Sequence, residues 1–272
     1  MPSAYLTKED HIRATEENFW ALWSRFGRGP NCVLHDEDRA LWFETPLTSV
    51  PYNAVIRSRF GADPASEVDR IIATFRKRNV PFIWVIHPSA TPSDLPQILE
   101  ERGLKYAETV PGMTMDLDEL PDRETCPTDF ELRRITDTSQ LRPIQEMILE
   151  RWTVPEKDRD VHYAITLSFG ICQPDGALHV WAAYSNGEPV CKVLLNMDGR
   201  SAGIHGVATK PEARGRGLAR MLTLEALHFA RERGYRLGML HASAMARTLY
   251  EKIGFRKVAD FSIHVSGAEL HV

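Results

Sequence analysis

The chain has 272 residues, 43% of them hydrophobic and 26% charged, with 37 acidic against 33 basic side chains and a formal net charge of −4. This composition excludes a largely disordered chain, and the weakly acidic balance leaves no electrostatic footprint for nucleic acid or an anionic membrane. No stretch approaches the roughly 18 apolar residues of a membrane span, and no basic segment followed by an apolar run opens the chain, so a cytoplasmic protein without signal peptide or membrane segment is expected.

Residues 7–26 read as a helix. Thr7 can cap it, Asp10 completes a loose capping box, and Ile12, Phe19, Trp20, Leu22, Trp23 and Phe26 form an apolar face. Strand-like stretches follow at 32–35, 40–43 and 52–57. Residues 65–78 are helical, with Val68, Ile71, Ile72 and Phe75 on one side. A buried strand at 81–87, a helix at 94–102 ended by Gly103, and a strand at 106–117 complete the first half. The acidic, proline-containing segment 116–129 is the natural break.

After the break the rhythm recurs. A strand at 130–134 precedes a helix at 139–152 that continues as a second around 160–169. Strands at 177–184 and 190–196 are joined through Asn186-Gly187, a hairpin signal. A strand at 201–209, a helix at 217–233, a strand at 236–241, a helix at 243–253 ended by Gly254 and a strand at 255–265 follow. The two ends can be superposed: EERGLKYAE (100–108) lies against EKIGFRKVAD (251–260) when Gly103 is matched to Gly254, and the preceding strands both finish on histidine, His87 and His241. The expected architecture is a mixed α/β protein of two domains, 1–120 and 129–266, arising from tandem duplication with a divergent first copy.

The four cysteines, Cys32, Cys126, Cys172 and Cys191, form no CxxC pair, and no histidine cluster has metal-ligand spacing. Neither a bound metal nor a disulfide framework is expected, which fits a reducing compartment.

The sharpest chemical signal lies between the strand at 201–209 and the helix that follows. There Arg214-Gly215-Arg216-Gly217 alternates guanidinium groups with glycines. Glycine lets a ligand approach the backbone, and a helix N-terminus offers unpaired N–H donors with about half a positive charge. Together they suit phosphate, although an isolated RGRG reads equally as a basic turn at a helix cap. No GK[ST] follows, so this is not a Walker A loop, and neither GxGxxG nor a later ribose-binding acid is present.

The segment resembles the acyl-CoA-binding motif of GNAT acyltransferases, [RQ]xxGx[GA], read here on Arg214, Gly217 and Ala219. VATKP (207–211) resembles that family's strand leading into the motif, and SAMARTLYEKIGF (243–255) resembles its second signature, NxxAxxLYxxxGF. The resemblance implies two GNAT-like domains, the second active with acetyl-CoA or another short acyl-CoA as cosubstrate. It implies that the loop amides of Arg214, Gly215, Arg216, Gly217, Leu218 and Ala219 hold the pyrophosphate. The backbone at Val207 and Thr209 would pair with the pantetheine arm, and Tyr250 would protonate the departing thiolate. Ser243 replaces the family's asparagine; its hydroxyl could cap the following helix.

His205 is the candidate general base: it stands on the strand entering the loop, four residues before Thr209, close to where the resemblance implies a Glu or His base, and strand alternation puts it on one face with Val207 and Thr209. His241, at the end of the next strand, is the second candidate. Each histidine reads equally as a packed structural residue, whereas the LYEKIGF context favours the chemical role of Tyr250 over a merely packed ring. In the first half the corresponding loop, 60–65, has one glycine, the acid Asp63 and Pro64, and Leu99 takes the place of Tyr250. That copy is expected to serve as scaffold or as one wall of the acceptor cleft, without binding CoA.

The expected reaction is transfer of an acetyl group to a primary amine of a small molecule, by a monomer or homodimer. Two rivals keep the fold: a non-catalytic acyl-CoA sensor, and an aminoacyl-tRNA-dependent transferase, for which the acidic balance gives no support.

Overall fold

The structure, a computed structural model, describes residues 6–267. The chain opens with α1 (Lys8–Trp23), then β1 (Val33–Asp36), β2 (Ala40–Glu44), β3 (Ala54–Ser58), α2 (Pro64–Arg78), β4 (Phe82–Ile86), α3 (Leu95–Glu100) and β5 (Lys105–Asp116). It continues with β6 (Glu131–Ile135), α4 (Leu141–Arg151), α5 (Glu156–Leu167), β7 (Leu178–Ser185), β8 (Glu188–Asp198) and β9 (Ser201–Thr209). Helix α6 (Leu218–Glu232), β10 (Leu237–His241), α7 (Arg247–Ile253) and β11 (Arg256–Ser266) complete it. Among the described residues, no helix is long and apolar enough to cross a membrane.

Local chemistry accounts for most of these boundaries. The capping box of α1 forms, with Asp10 N–H donating to Thr7 Oγ1 at 3.2 Å and Thr7 N–H to Asp10 Oδ2 at 3.0 Å. These bonds from Thr7 hold the Asp10 carboxyl below its usual range. The two helices expected at 139–152 and around 160–169 form as α4 and α5, and the second starts earlier than expected, directly after Pro155, which supplies no amide to a continuous ladder. The Asn186-Gly187 hairpin turn forms with φ of 50° and 82°.

The chain folds as two compact units that interleave along the sequence. One gathers the chain up to Phe19 with Pro111–Arg151 and Gly170–Ala259; the other gathers Trp20–Val110, Trp152–Phe169 and the chain from Asp260. The first has strand order β5-β10-β9-β8-β7-β6, the second β1-β2-β3-β4-β11. Each holds one parallel pair, β9 with β10 and β3 with β4, and is otherwise antiparallel. The strand next to β10 is β5, from the first half of the sequence, and the strand next to β4 is β11, from the second. The halves therefore exchange their last strands, and a cut at 116–129 separates chain segments but not compact units.

The repeat seen in the sequence has a backbone counterpart. Leu104 N–H donates to Leu99 O at 3.1 Å around Gly103, and Phe255 N–H donates to Tyr250 O at 3.0 Å around Gly254. Both glycines have positive φ, 86° and 123°. Leu99 and Tyr250 thus hold the same place in their helices.

In the first unit α6 packs on β7, β8 and β9, burying Met221, Leu222, Leu224 and Leu227 against Cys191, Val193 and Leu195 of β8. In the second, Val68, Ile71, Ile72 and Phe75 of α2 bury against Trp42 and Trp84. Each such side chain removed from water contributes about 1.5–3 kcal/mol.

Candidate active site

The parallel ladder between β9 and β10 ends early. Its register runs from Ala202 opposite Gly238 to Ile204 opposite Leu240. Beyond that point β10 pairs on its other side, His241 with Gly112 of β5, while β9 runs on to Thr209 paired only with β8. From His205 onward one edge of β9 therefore has no ladder partner. Such an edge is a template for an extended ligand with amide groups.

Strand β9 also carries a bulge. Lys192 of β8 faces Ala208 and Leu194 faces His205, so Gly206 and Val207 together oppose Val193. Gly206 adopts φ 52°, which accommodates the extra residue. The bulge overturns the expectation that His205, Val207 and Thr209 share a face. His205 turns toward α1, whereas Val207 packs in the α6 core and Thr209 Oγ1 lies 3.1 Å from the buried Cys191 Sγ. An isolated glycine within a strand was the available signal.

Beyond β9 a single turn over Pro211–Ala213 leads to the arginine-glycine loop. Gly215 and Gly217 both have positive φ, 73° and 77°, and Gly217 is the N-cap of α6 with no side-chain cap. A Cβ on Gly215 would meet nothing within 4 Å, and one on Gly217 only Met221 Cε at 3.5 Å. Leu218 is buried and anchors the turn; residues 214–217 are exposed. The first amides of α6 lack intrahelical acceptors and open onto this clear space.

Two arginines flank it. Arg216 pairs with Asp129 at 2.7 Å and lies 5.0 Å over the Phe130 ring, while Arg214 Nε donates to Thr209 O at 3.3 Å. The Arg216–Asp129 pair is half-exposed and therefore weak, so its guanidinium can turn to a phosphate. At the corresponding place in the second unit, α2 begins with Pro64, and its N-cap Asp63 accepts the Ser66 N–H at 3.1 Å. That terminus carries its own carboxylate where α6 carries none.

The histidines belong to a network anchored on α1. Asn18 Nδ2 donates to the carbonyls of Asn196 and Ser201, each at 3.1 Å, which fixes its amide orientation. Its Oδ1 then lies 2.8 Å from His205 Nε2, and a carbonyl oxygen only accepts, so His205 carries its proton on Nε2 and leaves Nδ1 as acceptor. Burial lowers His205 to about 4. His241 packs edge-on to Phe19, with ring centroids 5.3 Å apart, and falls to about 3, through burial first and the nearby His205 second. Both rings are neutral at physiological pH.

The network requires Gly203. A Cβ there would overlap Asn18 Oδ1 and come within 2.6 Å of His205 Nε2. Gly203→Ala should therefore displace Asn18 and cost about 1–3 kcal/mol, the usual range for overpacking. Urea unfolding of the variant checks this; an unchanged midpoint would show that α1 gives way freely.

Tyr250 is buried, with 5% exposure, and its ring stands edge-on to Phe255 at 6.1 Å. Ser243 does not cap α7 with its hydroxyl. The helix starts at Arg247 with Ala246 as N-cap, and Ser243 instead closes the preceding turn through its carbonyl, accepting the N–H groups of Ala246 and Arg247 at 3.0 and 3.1 Å.

Three residues of this region were not singled out by the sequence. Asn18 and Gly203 are visible only through the long-range packing of α1. Lys192 lies on the interior of β8, 8% exposed, where burial lowers its amine to about 8.

The sequence profile of the acetyltransferase (GNAT) family matches residues 141–255, a span that includes β9, the loop, α6, β10 and α7. A mycothiol acetyltransferase of Rhodococcus opacus (strain B4) is 40% identical over 57 residues, 20% of this chain. The matched stretch spans only 19% of that relative's length. Among solved structures, a GCN5-related N-acetyltransferase from Kribbella flavida superposes with TM-score 0.69 at 15% identity, covering 94% of this chain and 96% of that one. A tandem GNAT protein from the clavulanic acid biosynthesis pathway superposes with TM-score 0.62 at 13% identity, covering 98% of each chain. The fold is therefore that of GNAT proteins, and residues 141–255 of the chain are similar to the acetyltransferase (GNAT) family.

Proposed function

We propose that this protein transfers an acetyl group from acetyl-CoA to a primary amine of a small molecule, with a single acyl-CoA site formed by β9, the loop at 214–219 and α6. The observation that carries this reading is the uncapped, glycine-opened N-terminus of α6 at the end of the unpaired edge of β9. Pyrophosphate on the amides of Arg214 to Ala219 would direct the pantetheine arm back along β9, pairing with the backbone at Val207 and Thr209.

The chemistry needs few groups. The neutral amine attacks the thioester carbonyl, and the sulfur leaves with the C–S electron pair. Tyr250 donates the proton that the sulfur takes up. His205 is too weak a base for an ammonium. With an acceptor near 10 and His205 at about 4, the transfer is uphill by about 8 kcal/mol. Its role is to orient the free amine through Nδ1, with His241 packed behind. Ser243 lies beside the thioester end of the arm.

In this reading the first copy, 1–120, is a scaffold whose α2 terminus is already occupied by Asp63, and 129–266 carries the catalytic residues, with Asn18 supplied from α1. The four unpaired cysteines fit the cytoplasm. The test is incubation with acetyl-CoA and a panel of small amines, reading free thiol and acetylated product, beside calorimetric stoichiometry. Turnover with one acetyl-CoA per chain is expected. Binding without turnover on any amine would favour the sensor reading, and two equivalent sites would overturn the scaffold role of the first copy.

A further inference from the structure

Lys192 is buried in the sheet without a counter-charge. It forms no hydrogen bond or ion pair among the described residues. A buried ammonium is costly unless paired, so a lysine in this position either gives up its proton or awaits an anion.

Its placement ties it to the acceptor side of the site. On β8, Cys191 and Val193 turn into the α6 core, so Lys192 shares the opposite face with Asn196, the residue hydrogen-bonded to Asn18. The bulge in β9 brings the strand to the amine: a Cβ on Gly206 would stand 3.4 Å from Lys192 Nζ. The missing side chain therefore leaves Nζ against the backbone next to His205, where β9 loses its partner strand.

Building on the acyl-transfer reading above, we propose that Lys192 is the general base of the reaction, its neutral amine taking the proton from the acceptor's ammonium. The acceptor RNH3+ becomes RNH2, and Lys192 becomes an ammonium. The amine nitrogen bonds to the thioester carbon, the C–S bond breaks, and the sulfur takes the Tyr250 proton. The second amine proton restores Tyr250, and Lys192 releases its proton to solvent. The products are the amide, free CoA thiol and one proton.

The surroundings favour a neutral amine. Cross-strand neighbours Ala182 and Ala208 carry no charge. The Cys191 thiol, raised to about 11 by its own burial, stays protonated, and His205 is neutral. Helix α4, packed on β8 and β9, carries Arg142, Glu146 and Glu150, and α1, which reaches β8 at Asn196, carries Arg13, Glu16 and Glu17. With Lys192 at about 8, roughly half of the molecules hold a free amine at pH 8, against under about 1% for an exposed lysine.

The test compares wild type, Lys192→Met and Lys192→Arg in kcat/KM against pH with the best amine, with acetyl-CoA affinity and thermal melts as folding controls. Lys192→Met should lose about 10²-fold at pH 7 and recover as pH approaches the acceptor's own pKa. Lys192→Arg, which keeps the charge but cannot give up its proton, should not rescue it. Wild-type activity in Lys192→Arg, or a pH-independent loss in Lys192→Met, overturns the proposal. NMR titration of the Lys192 side chain provides a readout independent of turnover: a midpoint near 8 is expected, and one at 10 or above overturns the proposal. Absence of turnover in wild type on every amine would instead strike the acyl-transfer reading, leaving the titration to judge Lys192.

Discussion

Gly217→Asp is expected to abolish acetyl-CoA binding, lowering affinity by at least about 10²-fold, while the protein still folds. Gly217 sits at φ 77°, a conformation that costs an L-residue about 1–2 kcal/mol and that aspartate tolerates better than most. Space is not the obstacle, since the new Cβ would meet only Met221 Cε at ordinary contact distance, 3.5 Å. The obstacle is charge: a carboxylate would stand among the amides that the proposed site offers to the pyrophosphate, where helix and loop dipoles otherwise favour an anion. The protein already contains the comparison, because Asp63 occupies the N-terminus of α2 in this way. Gly217→Asn separates shape from charge and should lose less. Calorimetry with acetyl-CoA decides the matter; unchanged affinity in Gly217→Asp would place the cosubstrate elsewhere.

What could be read from the sequence was whatever short-range chemistry determines. The capping box at Thr7 and Asp10, the turn at Asn186-Gly187, the apolar faces of α2 and α6 and the glycines ending α3 and α7 each depend on neighbours within a few positions. The arginine-glycine loop is of the same kind, because its geometry is set by two glycines and the helix they precede. The features hidden from the sequence depend on distant partners. Nothing local says that β5 will pair with β10 and β11 with β4, since strand pairing is decided by partners far away in the sequence. The bulge at Gly206 moved His205 away from Val207 and Thr209, and an extra residue in a strand reverses every alternation argument beyond it. Asn18 reached the site from 187 positions away. Lys192 passed unnoticed because a lone lysine in an apolar strand is ordinarily taken for an edge or snorkelling residue; only the burial of β8 on both sides makes it unusual.

Tyr250→Phe is expected to lower kcat by about 10²-fold or more and to leave acetyl-CoA affinity within about twofold. In the proposed reaction the phenol hydroxyl would contribute chiefly when the thiolate departs, so its loss would raise the barrier without weakening the bound cosubstrate. The ring itself is retained: Tyr250 is 5% exposed and stands edge-on to Phe255, and phenylalanine fills the same volume. Stability is therefore a usable control. Truncation to leucine would reproduce the first copy, where Leu99 is fully buried at the equivalent turn of α3, and should lower both the melting temperature and kcat by removing ring packing as well as the proposed proton donor. A rate deficit shared by both variants, with a melting loss only in Tyr250→Leu, identifies the hydroxyl as the chemical contribution. Wild-type turnover in Tyr250→Phe with the best acceptor would make Tyr250 a packing residue like its counterpart, and the sulfur's proton would then have to come from water or from the attacking amine.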